Sequence, residues 1–294
     1  MRRPHPKNNH HLKMAFLCCL FFFLFLPDDL RGNESESSLH VAQGSVVLFS
    51  VGQLQKADSV SGRFLDKLVP FFKRASGEYA ALIGIDLAQP IGRHPLIITW
   101  KEGTSDHHRK VTVEIEAEAF GVQHLKLPKK MVDLDAETLK RVRGEKKKVR
   151  KAFRQSLGKK LWEGEFVVPT KGRRQGTFGR RRFLNGKPRK PHTGEDISAP
   201  TGTPVLATNK GRVVLVGNFY FNGRSVFIDH GLGLFSMYFH LSEITAQEGT
   251  IINTGAEIGK VGKSGRVTGP HLHWGMHLNG ARIDPYALIE KKVK

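Results

Sequence analysis

The chain has 294 residues, of which 47 are Lys or Arg, 27 are Asp or Glu and 39% are hydrophobic. This length is sufficient for two globular domains, and the hydrophobic fraction excludes a wholly disordered chain. The two cysteines, Cys18 and Cys19, lie in one apolar run near the N-terminus, so residues 20–294 can form neither a disulfide nor a cysteine-ligated metal site.

The net charge of +20 is concentrated in one segment. Residues 140–190 contain 20 basic and 3 acidic residues, a net charge of +17, whereas residues 32–139 carry −2 and residues 191–294 carry +2. Nucleic-acid-binding proteins usually add a recognition motif or interleaved stacking aromatic residues to such a segment, and we find neither. We therefore expect no nucleic-acid partner. The segment is interpreted either as solvated surface or as a contact with anionic polymers of the cell envelope.

The first 31 residues have the layout of a secretory signal. Four basic residues precede an apolar run at residues 15–26, which ends at Pro27. As a helix this run would span about 18 Å, which is shorter than the ~30 Å hydrocarbon core of a bilayer. We interpret residues 1–31 as a signal peptide or N-terminal anchor and expect an exported protein of the periplasm or cell envelope. Contact with the membrane is expected only through an uncleaved leader.

Residues 39–127 contain several short runs of strand-forming residues separated by Gly and Pro. Residues 111–116 alternate strictly between apolar and polar side chains, which predicts a strand with one face on a core. We interpret this region as an N-terminal β-sandwich-like domain. Its Asp106-His107-His108 sequence is interpreted as a polar turn between strands rather than a metal site.

From about residue 135 the spacing of the apolar residues changes from that of strands to that of a helix. Apolar residues now recur at helical spacing, and Asp133 or Asp135 can act as the N-cap, so the sequence predicts an amphipathic helix over 135–158. The expected apolar stripe, which should pack on a neighbouring domain, comprises Leu139, Val142, Val149, Phe153 and Leu157. With the basic residues on its outer face, this helix makes residues 128–163 a helical basic linker.

Residues with metal-binding chemistry are concentrated between His192 and His273. His271 and His273 are two apart in a segment of strand character, so both side chains leave the same face of the strand. His192 and Asp196, four apart, can also share a face in a gently bent segment. Two imidazoles and one carboxylate suit Zn²⁺ and leave a fourth position for water, while the second histidine of the 271–273 pair can face that water. The pattern predicts metal-assisted hydrolysis.

These motifs, in this order, resemble the zinc metalloendopeptidases of the lysostaphin and LytM type, which cut peptide cross-links in bacterial peptidoglycan. The matching segments read His-Thr-Gly-Glu-Asp at 192–196, Ala-Pro-Thr-Gly-Thr-Pro-Val at 199–205, His-Leu-Ser at 240–242, Thr-Gly-Pro-His-Leu-His-Trp at 268–274 and Ile-Asp-Pro at 283–285. The resemblance covers residues 164–288 and implies an antiparallel β-sheet peptidase domain over 164–290, with a groove across the face of the sheet.

The resemblance also implies the residues of the site. One zinc ion per catalytic domain would be held by His192, Asp196 and His273, and His240 and His271 would be the catalytic residues beside the attacking water. Histidine suits proton transfer there because its pKa lies near neutral pH. The sequence leaves open which of His240 and His271 is the general base.

Three further positions receive a specific interpretation. A tyrosine that often precedes the first motif in this family is absent, and Arg182 and Phe183 stand in that region. Asp229 is interpreted as part of a strand end and turn rather than as a group that orients a histidine. His277, four residues after His273, is expected at the wall of the groove.

Taken together, the sequence predicts a mainly β protein that hydrolyses the peptide cross-links of peptidoglycan during cell-wall remodelling. The alternative is a non-catalytic LytM-type regulator that activates a wall amidase, although such regulators typically lack part of the histidine and aspartate set. The expected partners are peptidoglycan stem peptides, with anionic envelope polymers bound through the basic linker. A further hypothesis is that the N-terminal domain is autoinhibitory and covers the groove until it is displaced.

Overall fold

The computed structural model describes residues 38–54 and 56–290, so the predicted leader at 1–31 lies outside the described residues. No helix within those ranges is long and apolar enough to cross a membrane. All the described residues belong to one compact unit, which is mainly β.

The N-terminal part consists of short strands followed by two helices. In chain order these are β1 (Ser38–Ala42), β2 (Val46–Gly52), β3 (Ser59–Phe64), β4 (Lys67–Pro70), β5 (Phe72–Lys73), β6 (Tyr79–Gly84), β7 (Gly92–Glu102), β8 (Ser105–Glu116), β9 (Val122–Leu125), α1 (Lys129–Val132) and α2 (Ala136–Phe153).

Two sheets form the N-terminal β-sandwich-like region. One has the order β1-β8-β7-β3-β4, in which only the β1–β8 pair is parallel, and the other has the order β2-β6-β5. The alternation predicted at residues 111–116 places Val111, Val113 and Ile115 in the core between the sheets, because every second side chain of a strand faces the same side. The interpretation of residues 106–108 as a turn was wrong, since they lie within β8 and pair with β7.

The C-terminal part adds thirteen strands and one helix. They are β10 (Arg173–Arg174), β11 (Arg181–Leu184), β12 (Lys187–Arg189), β13 (Glu195–Ser198), β14 (Pro204–Leu206), β15 (Gly211–Phe219), β16 (Gly223–Gly231), β17 (Leu234–Leu241), β18 (Glu243–Ile244), β19 (Ile251–Ile252), β20 (Glu257–Lys260), β21 (Leu272–Leu278), β22 (Ala281–Ile283) and α3 (Pro285–Glu290).

An antiparallel sheet forms the framework of this part, as predicted. Its order is β10-β13-β21-β17-β16-β15-β19, with β22 added to β21. The central strands β16 and β17 are buried along almost their whole length, because both faces of the sheet are covered. One face carries a large apolar core that includes Trp274 and Tyr238, and the other carries a smaller cluster of Phe219, Phe227 and Phe239.

Helix α2 covers the smaller aromatic cluster. Of the two N-caps left open by the sequence, Asp135 is the one used, and its carboxylate accepts a hydrogen bond from the Thr138 amide at 2.7 Å. Val149 and Phe153 pack on the aromatic cluster, as expected of the apolar stripe, whereas Leu139 is 40% exposed.

The helix ends at residue 153 rather than at the predicted 158. The following backbone pairs with the end of β16 instead of continuing the helix. The Leu157 amide donates to the Asp229 carboxylate at 2.9 Å, and the Leu157 carbonyl accepts from the Leu232 amide at 2.7 Å. These tertiary hydrogen bonds replace the helical ones that the sequence pattern predicts.

The N-terminal and C-terminal parts share interior surface. Val46, Phe72 and Leu82 belong to the same apolar core as Trp162 and Leu278. In addition, β9 leaves the sandwich and pairs in parallel with β11, forming a three-stranded sheet β12-β11-β9. The segment that precedes α1 is therefore held against the strands that lead into the predicted site.

Candidate metal centre

Strand register brings the predicted ligands together. Asp196 on β13 is the register partner of His273 on β21, and His273 is in turn paired with Phe239 on β17, next to His240. His192 lies in the loop that enters β13, four residues before Asp196. Residues far apart in the chain thus meet on three adjacent strands.

The three residues form one compact cluster. A ligand atom from each of His192, Asp196 and His273 lies within 4.8 Å of the others, and all three residues are buried. His192 Nε2 is 2.7 Å from His273 Nδ1 and 3.2 Å from Asp196 Oδ1, and His273 Nδ1 is 3.0 Å from the same Oδ1. Among the described residues, this is the group of His, Cys, Asp and Glu side chains whose spacing suits a metal ion.

Hydrogen bonds to the backbone set the tautomer of His192. Its Nδ1 is 3.2 Å from the Thr177 carbonyl, which can only accept, so Nδ1 carries the proton and Nε2 presents a lone pair to the cluster. Thr177 is positioned in turn by the buried Glu195 carboxylate, which accepts hydrogen bonds from the Thr177 amide and hydroxyl. The Thr177 hydroxyl also accepts from the Asp196 amide at 3.0 Å.

His240 and His271 lie beside the cluster with the same tautomer. His240 Nδ1 donates to the Ser264 carbonyl at 2.8 Å, and His271 Nδ1 donates to the Gly269 carbonyl at 2.9 Å. Their rings are 4.9 Å apart, and His271 Nε2 is 3.7 Å from Asp196 Oδ1. His240 has a φ of 66°, an uncommon left-handed conformation that its backbone hydrogen bonds maintain. Each imidazole therefore has a free Nε2 available for proton transfer.

The pKa values of His192, His240 and Asp196 are all shifted by their surroundings. Burial lowers the pKa of His192 to about 3 even though Asp196 favours the protonated form. Burial also lowers the pKa of His240 to about 3, with His273 and His271 acting in the same direction. Burial raises the pKa of Asp196, but the adjacent His192 and His273 more than offset this and hold the pKa well below its usual value. At neutral pH His192 is thus neutral and Asp196 is ionised, the forms in which these residues bind a metal.

A glycine is needed at position 194, in the first histidine motif, because the loop backbone lies very close to His273 and Trp274. A Cβ at this position would lie 2.6 Å from His273 Nε2 and 2.6 Å from the Trp274 carbonyl oxygen. The backbone of the loop thus packs directly on a predicted ligand. The glycine allows β13 and β21 to bring Asp196 and His273 together.

The cluster opens into a cavity of about 100 Å³. His240, His271 and His273 line one side of it, and Arg182 and Arg266 line another. The remaining wall comes from the segment around β9, which contributes Gln123, Leu125 and Leu127. The structure therefore brings four of the five predicted site residues, Asp196, His240, His271 and His273, to one cavity. The fifth, His192, is buried in the cluster beside it.

One of the other interpretations was wrong. His277 is not at the groove wall, because its ring is stacked on Phe153 at 4.5 Å, beneath α2.

Asp229 lies two residues before the end of β16, which a turn at residues 232–233 follows, in agreement with the interpretation as a strand end and turn, and it is buried. Its carboxylate accepts hydrogen bonds from Ser156, Leu157 and Gly231, so it anchors the chain that follows α2.

Arg182 and Arg266 were missed as cavity residues because each belongs to a basic or glycine-rich stretch with no distinctive spacing. The one available signal was that Arg182 stands in the region where the resemblance leads one to expect a tyrosine. Only the fold shows that the two side chains line the same cavity.

The fold and the cluster together define a mainly β protein with a buried His and Asp site whose geometry suits a metal ion. Residues 190–285 match the model of Peptidase family M23. The chain is also similar in structure to a Pseudomonas aeruginosa protein assigned to peptidase M23, with 29% identity, a TM-score of 0.67 and coverage of 84% of this chain and 94% of the other.

Curated relatives match the same region. The peptidoglycan DD-endopeptidase ShyA of Vibrio cholerae is 40% identical over 94 residues, which are 32% of this chain and 22% of ShyA. The DD-carboxypeptidase/endopeptidase Mpg of Neisseria meningitidis is 41% identical over 97 residues, which are 33% of this chain and 22% of Mpg. The matched region thus spans about a fifth of the length of these relatives.

Proposed function

We propose that this chain is a zinc-dependent metalloendopeptidase that hydrolyses peptide cross-links of bacterial peptidoglycan. The observation that carries the proposal is the convergence of three buried ligand atoms within 4.8 Å, next to two further imidazoles with free Nε2 atoms. A binding module would need the cluster but would have no use for the two additional histidines.

The donor set fits a zinc ion. His192, Asp196 and His273 offer two nitrogens and one oxygen, and zinc accepts such ligands at about 2.0–2.2 Å in a tetrahedral arrangement with one position open. The Thr177 carbonyl holds His192 in the tautomer that a ligand needs. When bound, the ion supplies Lewis acidity, which polarises a peptide carbonyl and lowers the pKa of water.

The other two histidines account for the proton transfers. An attacking water must lose a proton, and the leaving amine must gain one. The Nε2 lone pair of His240 or His271 can accept the first proton, and the resulting imidazolium can donate to the amine or stabilise the oxyanion. Both rings are held by Nδ1–H donation to a carbonyl, so either can act as the general base.

The relatives support the choice of substrate and compartment. Two of them are named for action on DD-peptides, and ShyA is named for action on peptidoglycan. We therefore propose peptidoglycan stem peptides as the substrate, and an exported protein in the periplasm or cell envelope. The composition of residues 1–31 supports this location.

Zinc content and hydrolysis of purified cross-linked peptidoglycan, with the products identified by mass, test the proposal. We expect one zinc per chain and loss of cross-linked dimers in the wild type, and loss of both in His273→Ala. His108→Ala is the matched control, because His108 is exposed and lies on β8 outside the cavity. The control should retain zinc and activity.

The same experiment decides against the alternative, a non-catalytic regulator of a wall amidase. A regulator would release no cross-link products from peptidoglycan even when one zinc is bound per chain. That result, obtained with both cross-linked peptidoglycan and synthetic DD-peptides, would overturn the proposal of an endopeptidase.

A further inference from the structure

Two arginines face the proposed catalytic cavity, and the chemistry of the zinc site does not use them. Arg182 lies on β11, and Arg266 lies in the loop between β20 and β21. Both line the same cavity as His240, His271 and His273. They come from separate segments, 84 positions apart in the chain, so their proximity is a result of the fold.

Arg182 is half-buried at the edge of the metal cluster. Its Nη2 is 3.5 Å from Asp196 Oδ2, and its Nε donates to the Gln123 side-chain oxygen at 2.9 Å. Asp196 also lies 3.0 Å from His273 and 3.2 Å from His192, and it is a proposed zinc ligand. Its carboxylate is therefore not committed to Arg182 alone.

Arg266 has no acidic partner. Its guanidinium stacks on the Phe221 ring at 4.0 Å and donates one hydrogen bond, from Nη1 to the Met131 carbonyl at 3.2 Å. Within the described residues no carboxylate forms an ion pair with it. Burial lowers the pKa of Arg266 to about 10, and the nearby Arg182 and Arg189 act in the same direction. The stacking on Phe221 holds the guanidinium of this cavity-lining residue.

Two neighbouring cations at a partly desolvated cavity are unfavourable unless an anion binds between them. Apart from Asp196, which lies 3.5 Å from Arg182, the groups that accept their hydrogen bonds, the Gln123 amide oxygen and the Met131 carbonyl, are neutral. A carboxylate would offer two oxygens and a negative charge, and charge-assisted hydrogen bonds to guanidinium are about twice as strong as neutral ones. A planar guanidinium is also the group best matched to carboxylate geometry.

We propose that Arg182 and Arg266 form a carboxylate-binding subsite, which selects peptides that carry a free carboxylate next to the scissile bond. This inference rests on the proposed endopeptidase function and specifies its substrate class. Peptides with a carboxylate on the carbon that bears the leaving amine fit the subsite, whereas neutral glycyl peptides lack the group that it recognises. Arg182 and Arg266 are then specificity-determining residues.

A matched pair of synthetic cross-linked peptides tests the subsite. The two peptides differ only in a free carboxylate or a carboxamide on the carbon that bears the scissile nitrogen. For the wild-type full chain we expect kcat/KM to be about 10- to 100-fold higher for the carboxylate, the range of a hydrogen bond to a charged group. In Arg266→Gln and Arg182→Gln this ratio should fall to within about threefold of unity.

Arg181→Gln provides the matched control, because it removes the same charge from the neighbouring residue of β11, which is exposed and outside the cavity. Its ratio should stay at the wild-type value. Arg182→Lys and Arg266→Lys cover the case in which a glutamine variant fails to fold. They keep the charge but lose the planar fork, so we expect an intermediate ratio.

Binding to the zinc-free full chain separates the subsite from catalysis. By calorimetry, the carboxylate peptide should bind at least about tenfold more tightly than the carboxamide, and Arg266→Lys should reduce that difference. Hydrolysis of both peptides at equal rates by the wild type, or equal binding of both, would overturn the subsite while leaving the endopeptidase intact. Selective binding without hydrolysis of either peptide would support the subsite and overturn the proposed function.

Discussion

The close approach of Gly194 to the His273 ring shows how single residues control the candidate metal centre. The loop backbone at Gly194 contacts the imidazole from the side opposite the cluster, so the ring position depends on the absence of a side chain. The same dependence applies to Thr177, whose carbonyl fixes the His192 tautomer. The ligands are thus held by their neighbours as much as by their own strands.

Gly194→Ala should weaken zinc binding by at least about tenfold, because its Cβ would displace the His273 ring from the cluster. Gly269→Ala is the control, since a Cβ there would have no heavy atom within 4 Å although the position lies in the neighbouring histidine motif. Zinc affinity by competition with a chelating dye, with thermal unfolding as a check on folding, measures the effect. Equal affinities for the two variants would show that the contact is not needed.

His230 gives the stability of the protein a predictable pH dependence. It is fully buried, its Nδ1 donates to the Lys210 carbonyl at 2.8 Å, and burial lowers its pKa to about 4. The unfolded chain binds a proton at about pH 6.5, whereas the folded chain binds it only near pH 4. The contribution of His230 to the free energy of unfolding is therefore fully present above pH 6.5. It falls as the pH is lowered toward 4, by up to about 3 kcal/mol in total.

Denaturant unfolding at several pH values measures this effect. In His230→Gln, the slope of the unfolding free energy between pH 6.5 and 4.5 should be smaller by about 1.4 kcal/mol per pH unit, the value for one proton. His40→Gln is the control, because His40 is exposed. An unchanged slope in the His230 variant would contradict the assignment of a buried neutral imidazole.

At the scale of elements, α2 has two faces with different roles. Its inner face packs on the aromatic cluster beneath β15–β17, and this contact holds the helix to the large C-terminal sheet. All of its basic residues are exposed, and they are Lys140, Arg141, Arg143, Lys146, Lys147, Lys148, Arg150 and Lys151. The outer face is thus available to an anionic polymer, as the sequence analysis proposed.

Replacing Lys146, Lys147 and Lys148 with Gln should weaken binding to isolated peptidoglycan sacculi that carry anionic polymers. The wild-type affinity should fall with added salt, because exposed charges are screened over about 8 Å at physiological ionic strength. The control removes three exposed positive charges from the β7–β8 ladder, at Lys101, Arg109 and Lys110. Co-sedimentation at low and high salt provides the measurement, and salt-insensitive binding would contradict a role for the charges.

At the scale of the whole molecule, the N-terminal part contacts the C-terminal part in two places. They share the core around Trp162 and Leu278, and they are joined by the ion pair between Asp86 and Arg282, whose Nε donates at 2.8 Å. The second connection is the β9 segment, which lines the candidate cavity. This segment, rather than the sandwich as a whole, is the part of the N-terminal region placed to restrict access to the site.

Release of this segment should accelerate hydrolysis if it limits entry of the substrate. Asn185 holds the segment through two hydrogen bonds, from its side chain to the Leu127 carbonyl at 2.8 Å and from the Leu127 amide to its side chain at 2.9 Å. Asn185→Gly removes both at about 1 kcal/mol each and suits the positive φ of 50°. We expect kcat/KM to rise by up to about tenfold.

Asn279→Gly is the matched control, because Asn279 has a similar φ of 47° and lies away from the cavity. Initial rates on the same cross-linked peptide compare the two variants with the wild type. Equal rates for all three proteins would contradict autoinhibition by the β9 segment.

The local pattern of residues predicted part of the secondary structure and the His and Asp residues that the fold brings together. The alternation in β8, the helical spacing of Val149 and Phe153 and the histidine motifs each depend on neighbours within a few positions, where periodicity reports burial directly. The helix end and the position of His277 were predicted incorrectly, because hydrogen bonds and packing from distant strands decided them.

The sequence by itself determined the mainly β class, the ordered His and Asp set and the basic outer face of α2. Only the tertiary structure decided that Arg182 and Arg266 line one cavity beside the cluster, that β9 leaves the sandwich to line that cavity, and that the two parts share one core. The physical reason is that the spacing of residues along the chain determines which face of its own helix or strand a side chain occupies. The register between strands that are 40 to 80 residues apart specifies what that side chain meets.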